Sequence, residues 1–419
     1  MEVYLKSSVA SIMILIASDF HLGYDYNTER EKDAYFVLDD ILSNDSVDLI
    51  IFAGDLFDSR VPRLEVFSEG MHFLSKLKSK KGHGSVKLIE SDKSINPRAL
   101  EGIPFISVYG NHERRAELVN PVQALDKASL LVNLHCQKIV FEIDGKLIAI
   151  QGMSYVPEKY ARTVLSQWNP RPVPGAINIL LMHQNIEPFV YSDLEDVYLK
   201  ISDLPQGFNY IINGHIHWHN EVKIGDGKLL MPGSTIPTQL NKKEAEFRKG
   251  YFTLDPNNGD AKFSEIKQRD FLFTQVDSVD EIKKILDNLK KKELKPIVKF
   301  RIRNASSIDL NLIEKNYSDK AIMVFQREVS KSFDKQKTEI LRKQMSAEEY
   351  GMKLIREKSK LEFADELLEV ILEEDIDGVE RVLRKGLVQT AQVQEKAQKE
   401  TTADIRNGAN EGLSMKNFL

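Results

Sequence analysis

The 419-residue sequence has one cysteine, Cys136, and two tryptophans. A single thiol excludes both an internal disulfide framework and a thiolate metal cage. It suits a reducing compartment, so Cys136 reads as small core filler rather than a nucleophile. No apolar run approaches the roughly 20 residues that a membrane helix needs. The longest near the N-terminus, Ile12 to Ala17, is too short for a secretory core and runs straight into Ser18 and Asp19, so it reads as a buried strand. Residues 1–11 before it show no pattern, and Met13 is an expected alternative start. A positive excess is also missing: 58 Lys plus Arg face 63 Asp plus Glu, for a formal charge of −5. Any nucleic-acid affinity must therefore come from a local patch, a metal centre or a partner.

The length fits two or three domains, and 42% apolar with 29% charged residues is ordinary for a globular chain. Five times, an apolar run of strand length stops at a polar cluster. Ile12 to Ala17 ends in Asp19-Phe-His21-Leu-Gly23, and Leu49 to Ala53 ends in Gly54-Asp55-Leu-Phe-Asp58. Phe105 to Tyr109 ends in Gly110-Asn111-His112-Glu113, Ile177 to Met182 ends in His183, and Tyr210 to Ile212 leads into Gly214-His215-Ile-His217. If the last segment stays extended, His215 and His217 point to one side and reach a single site. An isolated His-x-His is more often a pair of surface histidines. Its company argues otherwise, because five of the chain's nine histidines sit in these clusters.

Between the strands, Glu29 to Leu42 and Arg63 to Leu77 have helical spacing. Functional groups at the carboxyl ends of strands joined by crossovers are the logic of an α/β layered fold. Lys138 to Ile143 and Lys146 to Gln151 flank the turn Asp144-Gly145 as a hairpin, and Lys228 to Met231 is another strand, so the sheets are mixed. The first domain is expected over residues 1–265. From 266 to 330 a βαβαβ unit follows: strands 271–276, 296–302 and 321–329, and helices 279–289 and 308–317, the first opened by Ser278 with Glu281 in capping-box register. Residues 331–360 read as a charged linker and 388–419 as a disordered tail. Between them, over 361–387, Phe363, Leu367, Val370 and Ile371 form one stripe at helical spacing, and Val379, Val382 and Leu383 form another. Two such helices either dock on a partner or pack on their own chain.

Asp19, His21, Asp55, Asn111, His183, His215 and His217 form a mixed nitrogen and oxygen donor set suited to manganese, iron or zinc. Seven donors are too many for one ion and fit two if one carboxylate bridges, with Asp55 the expected bridge. Two ions clamp the attacking and leaving oxygens of a phosphoryl ester, which implies phosphoester hydrolysis. His112 would then act as general acid or stabilise charge, unless it is a further ligand or a structural contact.

These five motifs, in this order, resemble those of the calcineurin-like metallophosphoesterases. Within them, Asp19-Phe-His-Leu-Gly-Tyr24, Gly54-Asp-Leu-Phe57, Met182-His-Gln184, Gly214-His-Ile-His217, Met231-Pro-Gly-Ser234 and Lys249-Gly-Tyr-Phe252 look most like the prokaryotic form of the meiotic-recombination-eleven nuclease family of double-strand-break repair. The resemblance implies a layered β-sandwich core flanked by helices, with a small α/β capping domain and C-terminal helices. It implies two Mn(II) ions per subunit, 3′-to-5′ exonuclease action on duplex DNA ends and endonuclease action, including on single strands. It also implies a homodimer through the Arg63 to Leu77 and Glu117 to Leu131 segments, docking of residues 361–387 on a coiled-coil ABC-type ATPase, and a cytoplasmic, nucleoid-associated protein with no membrane segment.

Three features depart from that family. Asp58 stands where a catalysis-assisting histidine is usual, Glu113 gives an Asn-His-Glu form common in protein phosphatases, and the stretch between the second and third motifs is long. Its Lys76, Lys78, Lys80, Lys81 and Lys87 read as a solvated lysine face more readily than as a DNA patch. Arg114 and Arg115 are better phosphate contacts, with Asp58 a further positioning residue. Other readings are a small-substrate phosphodiesterase or phosphatase, and a DNA-end-tethering scaffold with a residual site.

Overall fold

Met13–Ala17, strand β1, is apolar throughout because both its faces are covered. Ile14 and Ile16 point one way and Leu15 and Ala17 the other, and the two sets enter different cores. The computed structural model describes residues 12–82, 84, 86–115, 118–190, 199–256, 258–303, 310–327 and 382. In it β1 joins β2 (Val47–Phe52), β4 (Phe105–Ser107), β5 (Val132–Asn133), β12 (Gly250–Asp255) and β13 (Asp260–Glu265) in a six-stranded sheet of order β13-β12-β1-β2-β4-β5. The four strands from β1 to β5 run parallel, and β12 pairs antiparallel with β1.

The second sheet contains β3 (Val86–Ser91), β6 (Gln137–Ile143), β7 (Lys146–Met153), β8 (Ala176–Met182), β9 (Tyr210–Asn213), β10 (Asn220–Ile224) and β11 (Gly227–Met231), in the order β10-β11-β9-β8-β7-β6-β3. Ile14, Ile16, Leu49 and Ile51 of the first sheet meet Ile148, Ile150, Ile179 and Leu181 of the second. On its outer face the first sheet sets Leu15, Ala17, Ile50 and Phe52 against α1 (Phe36–Ser43), α2 (Leu64–Ser79) and α3 (Pro121–Lys127). The second sets Leu180 and Met182 against Leu165 of α4 (Glu158–Trp168). The result is the expected α/β sandwich of helix, sheet, sheet and helix layers. Each fully buried Ile or Leu in the central layer contributes about 1.5–3 kcal/mol.

The turn between β6 and β7 has Asp144 at φ 47° and Gly145 at φ 78°. Two successive left-handed residues are what a tight antiparallel hairpin requires. Several expectations need correction. The helix foreseen from Glu29 is confined to Phe36–Ser43 with a short 3-10 turn at Asp33–Tyr35 before it, because Asp33 is held by Arg30 and Arg269 rather than left on a helix surface. The lysine-rich insert holds β3, paired antiparallel with β6. Two of its lysines are committed to the fold: Lys78 Nζ donates to the Ala99 carbonyl at 2.5 Å, and Lys80 Nζ to the Leu42 carbonyl at 2.6 Å. The apolar stripe of α2, Val66, Phe73, Leu74 and Leu77, is buried in the chain's own core; Leu64 and Met71 are exposed.

Residues 271–327 build a parallel sheet of β14 (Phe271–Val276), β15 (Ile297–Ile302) and β16 (Ile322–Arg327), with α5 (Val279–Asn288) and α6 (Leu310–Tyr317). Val276, Ile282, Leu286, Val298, Phe300, Ile302 and Ile313 give it a core of its own. The Ser278 side chain accepts from Glu281 N–H as foreseen, but Glu281 turns to the Asp277 N–H at 3.0 Å, so the reciprocal half of the capping box goes one residue further back. By compactness, residues 1–114 and 118–330 form one unit, and residues 115–117 with 331–419 another. The linker, the paired stripes and the tail lie outside the described residues, except for Val382, which is buried.

Candidate metal centre

All five polar clusters lie just beyond the carboxyl ends of parallel strands: Asp19 and His21 after β1, Asp55 after β2, Asn111 and His112 after β4, His183 after β8, and His215 and His217 after β9. The chain must turn abruptly there to aim side chains inward. Asp19, His21, Asp55 and His215 all take left-handed φ values, of 53°, 50°, 56° and 77°. Four such non-glycine residues in one site are the kind of strain that persists where function requires it. Gly54 and Gly110 admit the close packing. A Cβ on Gly54 would come 2.5 Å from His183 Nδ1, and one on Gly110 would come 2.0 Å from Asp55 Oδ1.

Two groups of donors result. Asp19, His21 and His217 converge in one, with the Nε2 atoms of His21 and His217 3.2 Å apart. In the other, Asn111 Oδ1 lies 3.0 Å from both His183 Nε2 and His215 Nδ1, and His183 Nε2 lies 3.3 Å from Asp55 Oδ2. His215 and His217 therefore serve different groups and do not share one side, because β9 ends at Asn213 and His215 leaves the extended conformation. Asp19 approaches both groups, whereas Asp55 approaches His183 with one oxygen and accepts the His112 N–H at 3.0 Å with the other.

Outward-facing partners fix the rings of His183, His21 and His217. His183 Nδ1 donates to the Ala53 carbonyl at 2.7 Å, His21 Nδ1 to Asp58 Oδ1 at 3.0 Å, and His217 Nδ1 faces Thr238 Oγ1 at 2.5 Å. The inward nitrogens then present lone pairs to carboxylate, amide or imidazole acceptors. A buried cluster of acceptors facing acceptors is unfavourable unless a cation lies among them, and this is the arrangement that orients histidine ligands in metal sites. The same groups shift one another's acid–base equilibria strongly. Burial pushes the Asp19 carboxyl well above its ordinary value. Burial acts on Asp55 in the same sense, but the His183, His112 and His21 imidazoles outweigh it and hold Asp55 low. Burial would lower His183, yet Asp55 beside it raises the imidazole to about 9, while burial and the neighbouring His183 bring His215 down to about 3. The donor set, nitrogen and oxygen without sulfur, fits divalent metal.

His112 lies against His21, their ring centroids 4.7 Å apart, and with His21 and Asp58 it forms a further cluster of possible ligands. Its Nδ1 donates to the main-chain carbonyl of Asp58 at 3.1 Å and lies 3.5 Å from that residue's carboxylate. Burial lowers its pKa, but Asp55 and Asp58 together raise it above the ordinary value. Asp58 thus orients His21 and His112 at once. Glu113 clamps two motifs together, accepting the Phe57 and Gly110 N–H groups at 2.9 Å each, and burial raises it to about 7. Arg114 belongs to the same unit and its charge reaches Tyr109; Arg115 falls in the other unit. Sequence reasoning missed Thr238 and Glu244, and noted Lys249 only within the family-like stretch Lys249-Gly-Tyr-Phe252, with no role given to its side chain. Lys249 Nζ donates to the His217 carbonyl at 2.7 Å, Ser234 Oγ at 2.9 Å and Glu244 Oε1 at 2.7 Å. A threonine after a proline and a glutamate in a charged stretch carry no spacing signal that could have marked them.

A two-sheet sandwich whose strand ends gather carboxylates, an amide and imidazoles into a two-group pocket defines a metallophosphoesterase. The chain matches the model of the calcineurin-like phosphoesterase family over residues 12–219. Among its relatives is the DNA double-strand break repair protein Mre11 of Methanosarcina mazei, 28% identical over 62% of this chain and 39% of that protein. The Mre11 of Saccharolobus solfataricus is 29% identical over 58% of this chain and 60% of that one. The chain thus spans less than two thirds of those two relatives; it matches 95% of the Methanococcus maripaludis Mre11, at 28% identity over 86% of its own length.

Proposed function

We propose that the chain is a two-metal DNA nuclease of double-strand-break repair. The observation that carries this reading is the pair of donor groups, Asp19, His21 and His217 on one side and Asn111, His183 and His215 on the other, with carboxylates between them. The named relatives support DNA as the substrate. Manganese fits the donors, and Asp55 or Asp19 would bridge. Divalent ions, when bound, supply positive charge to the phosphate and ease attack by water.

His112 has the geometry of the general acid. Its Nδ1–H is tied to the Asp58 carbonyl, and Asp55 and Asp58 favour the form that also carries a proton on Nε2. As the P–O bond breaks, that proton passes to the leaving oxygen. Arg114 is the proposed phosphate contact, with Arg115 a second. The reading extends to 3′-to-5′ trimming of duplex ends, endonucleolytic cutting, a homodimer, capping by residues 266–330, and docking of the 361–387 stripes on a coiled-coil ATPase. In the described residues no helix is long and apolar enough to cross a membrane.

The test is hydrolysis of a labelled hairpin-ended duplex and of an aryl phosphodiester with manganese, comparing wild type with His112→Ser. DNA cleavage that disappears in the variant while metal stays bound is the expected result. Aryl ester hydrolysis with no DNA cleavage, even with the ATPase added, would replace this reading with a small-substrate hydrolase.

A further inference from the structure

The Thr238 hydroxyl against His217 is the end of a buried line of hydrogen bonds that begins at Arg269, where the chain leaves β13 for the small domain. Arg269 Nε donates to both oxygens of Asp33, at 2.8 and 3.0 Å, and its Nη atoms reach the Glu29 carbonyl at 2.9 Å and the Lys295 carbonyl at 3.1 Å. Asp33 also accepts from Arg30 Nε at 3.3 Å. Arg30 in turn donates through Nη1 to Asp25 at 3.2 Å and through Nη2 to the Pro237 carbonyl. All three charged groups, Arg30, Asp33 and Arg269, are less than 8% exposed.

Thr238, the next residue, is held at each of its polar groups. Its N–H donates to Glu244 Oε1 at 3.2 Å, its carbonyl accepts from Tyr24 at 3.0 Å, and its hydroxyl faces His217 Nδ1 at 2.5 Å. For His217 Nε2 to offer its lone pair to an ion, Nδ1 must carry the proton and have an acceptor, and Thr238 Oγ1 is that acceptor. A residue pinned on three sides has no use for such rigidity unless the group it orients must be placed accurately.

We propose that Thr238 is a positioning residue for His217, and that the Arg269–Asp33–Arg30–Pro237 line couples the small domain to the affinity of the Asp19–His21–His217 group for its ion. This rests on the two-metal reading above. The physical step is competition for Asp33. With Arg269 present, two guanidiniums share one carboxylate and Arg30 has capacity left for the Pro237 carbonyl. When the small domain draws Arg269 away, Arg30 re-centres on Asp33, the Pro237–Thr238 peptide is released, and His217 loses its acceptor. Because the coupling acts on one donor group, it weakens one ion and leaves the ion at Asn111, His183 and His215 in place.

The experiment is titration of the full chain with Mn2+, following bound metal by electron paramagnetic resonance and calorimetry, with thermal unfolding as the check on folding. Wild type binds two ions. Thr238→Val weakens one of them about 10–100-fold, and Thr238→Ser, which restores the hydroxyl, recovers wild-type affinity. Arg269→Gln, or Asp33→Asn if that variant does not fold, weakens the same ion by a few-fold to about 30-fold. The double variant with Thr238→Val is no weaker than Thr238→Val alone, because both cut one line. Arg303→Gln, which breaks an exposed ion pair with Asp277 in the same small domain, changes neither affinity. Unchanged metal binding in the Thr238, Arg269 or Asp33 variants, or losses that multiply in the double variant, would overturn the coupling while leaving the two-metal reading intact. Wild type that binds fewer than two ions would defeat both.

Discussion

Gly110→Ala probes the site with one added carbon. The new Cβ would lie 2.0 Å from Asp55 Oδ1, 2.5 Å from its Cγ and 2.7 Å from its main-chain nitrogen, where ordinary contact begins at 3.4 Å. Asp55 has no slack to yield about 1.4 Å. Its backbone is already left-handed at φ 56°, and Oδ1 accepts the His112 N–H at 3.0 Å. Gly110 itself is not among the glycines with positive φ, so alanine is conformationally acceptable there and the effect is steric. Overpacking of this kind costs about 1–3 kcal/mol of stability, and a displacement on the order of 1 Å at reacting groups costs about 100-fold in rate. Gly145→Ala is the control. Nothing lies within 4 Å of its Cβ, so it bears only the left-handed strain of φ 78°, about 1 kcal/mol. Manganese-dependent hydrolysis of an aryl phosphodiester, with thermal unfolding of each variant, separates the two. If Gly110→Ala turns over as fast as wild type, Asp55 is not held where this account needs it.

Two further predictions concern titrating groups. Burial lowers Lys78 to about 8 from 10.5, so between those values the unfolded chain binds more protons than the folded one, and stability rises with pH across that window. Lys78→Met should stabilise the protein at pH 7, by about 1 kcal/mol after allowing for partial exposure and the lost bond to Ala99, and flatten the pH dependence in urea unfolding; a wild type that loses stability from pH 8 to 10 relative to the variant would contradict this. Asp58→Asn keeps an oxygen acceptor for His21 but removes the charge that helps raise His112. An acid active when protonated loses activity as pH rises through its pKa, so the alkaline limb of the kcat profile should move to lower pH with metal stoichiometry unchanged, and an unmoved limb would remove His112 from the acid role.

Much of the fold was legible because its strands are buried on both faces, which makes them continuous apolar runs, and because each run ends where the chemistry begins. Val47–Phe52 and Ala176–Met182 needed only that signal. The strands and helices of residues 271–327 were legible for a related reason: they are short, alternate regularly and begin at recognisable caps such as Ser278. What escaped was decided at a distance. Asp33 belongs to no long helix because Arg269, 236 residues away, holds its carboxylate. Val86–Ser91 is half exposed along its length, so its strand character comes from pairing with β6 rather than from its own pattern. In the site, the donor residues were readable from their clusters, but their division into two groups was not. The separation of His215 from His217 depends on a left-handed backbone that residue spacing does not encode.

The most direct test of the two-metal claim is anomalous diffraction at the manganese edge from crystals soaked in MnCl2. The account predicts two peaks per chain, about 3.5–4 Å apart, one against Asp19, His21 and His217 and the other against Asn111, His183 and His215. A single peak, or none at these residues, would contradict it.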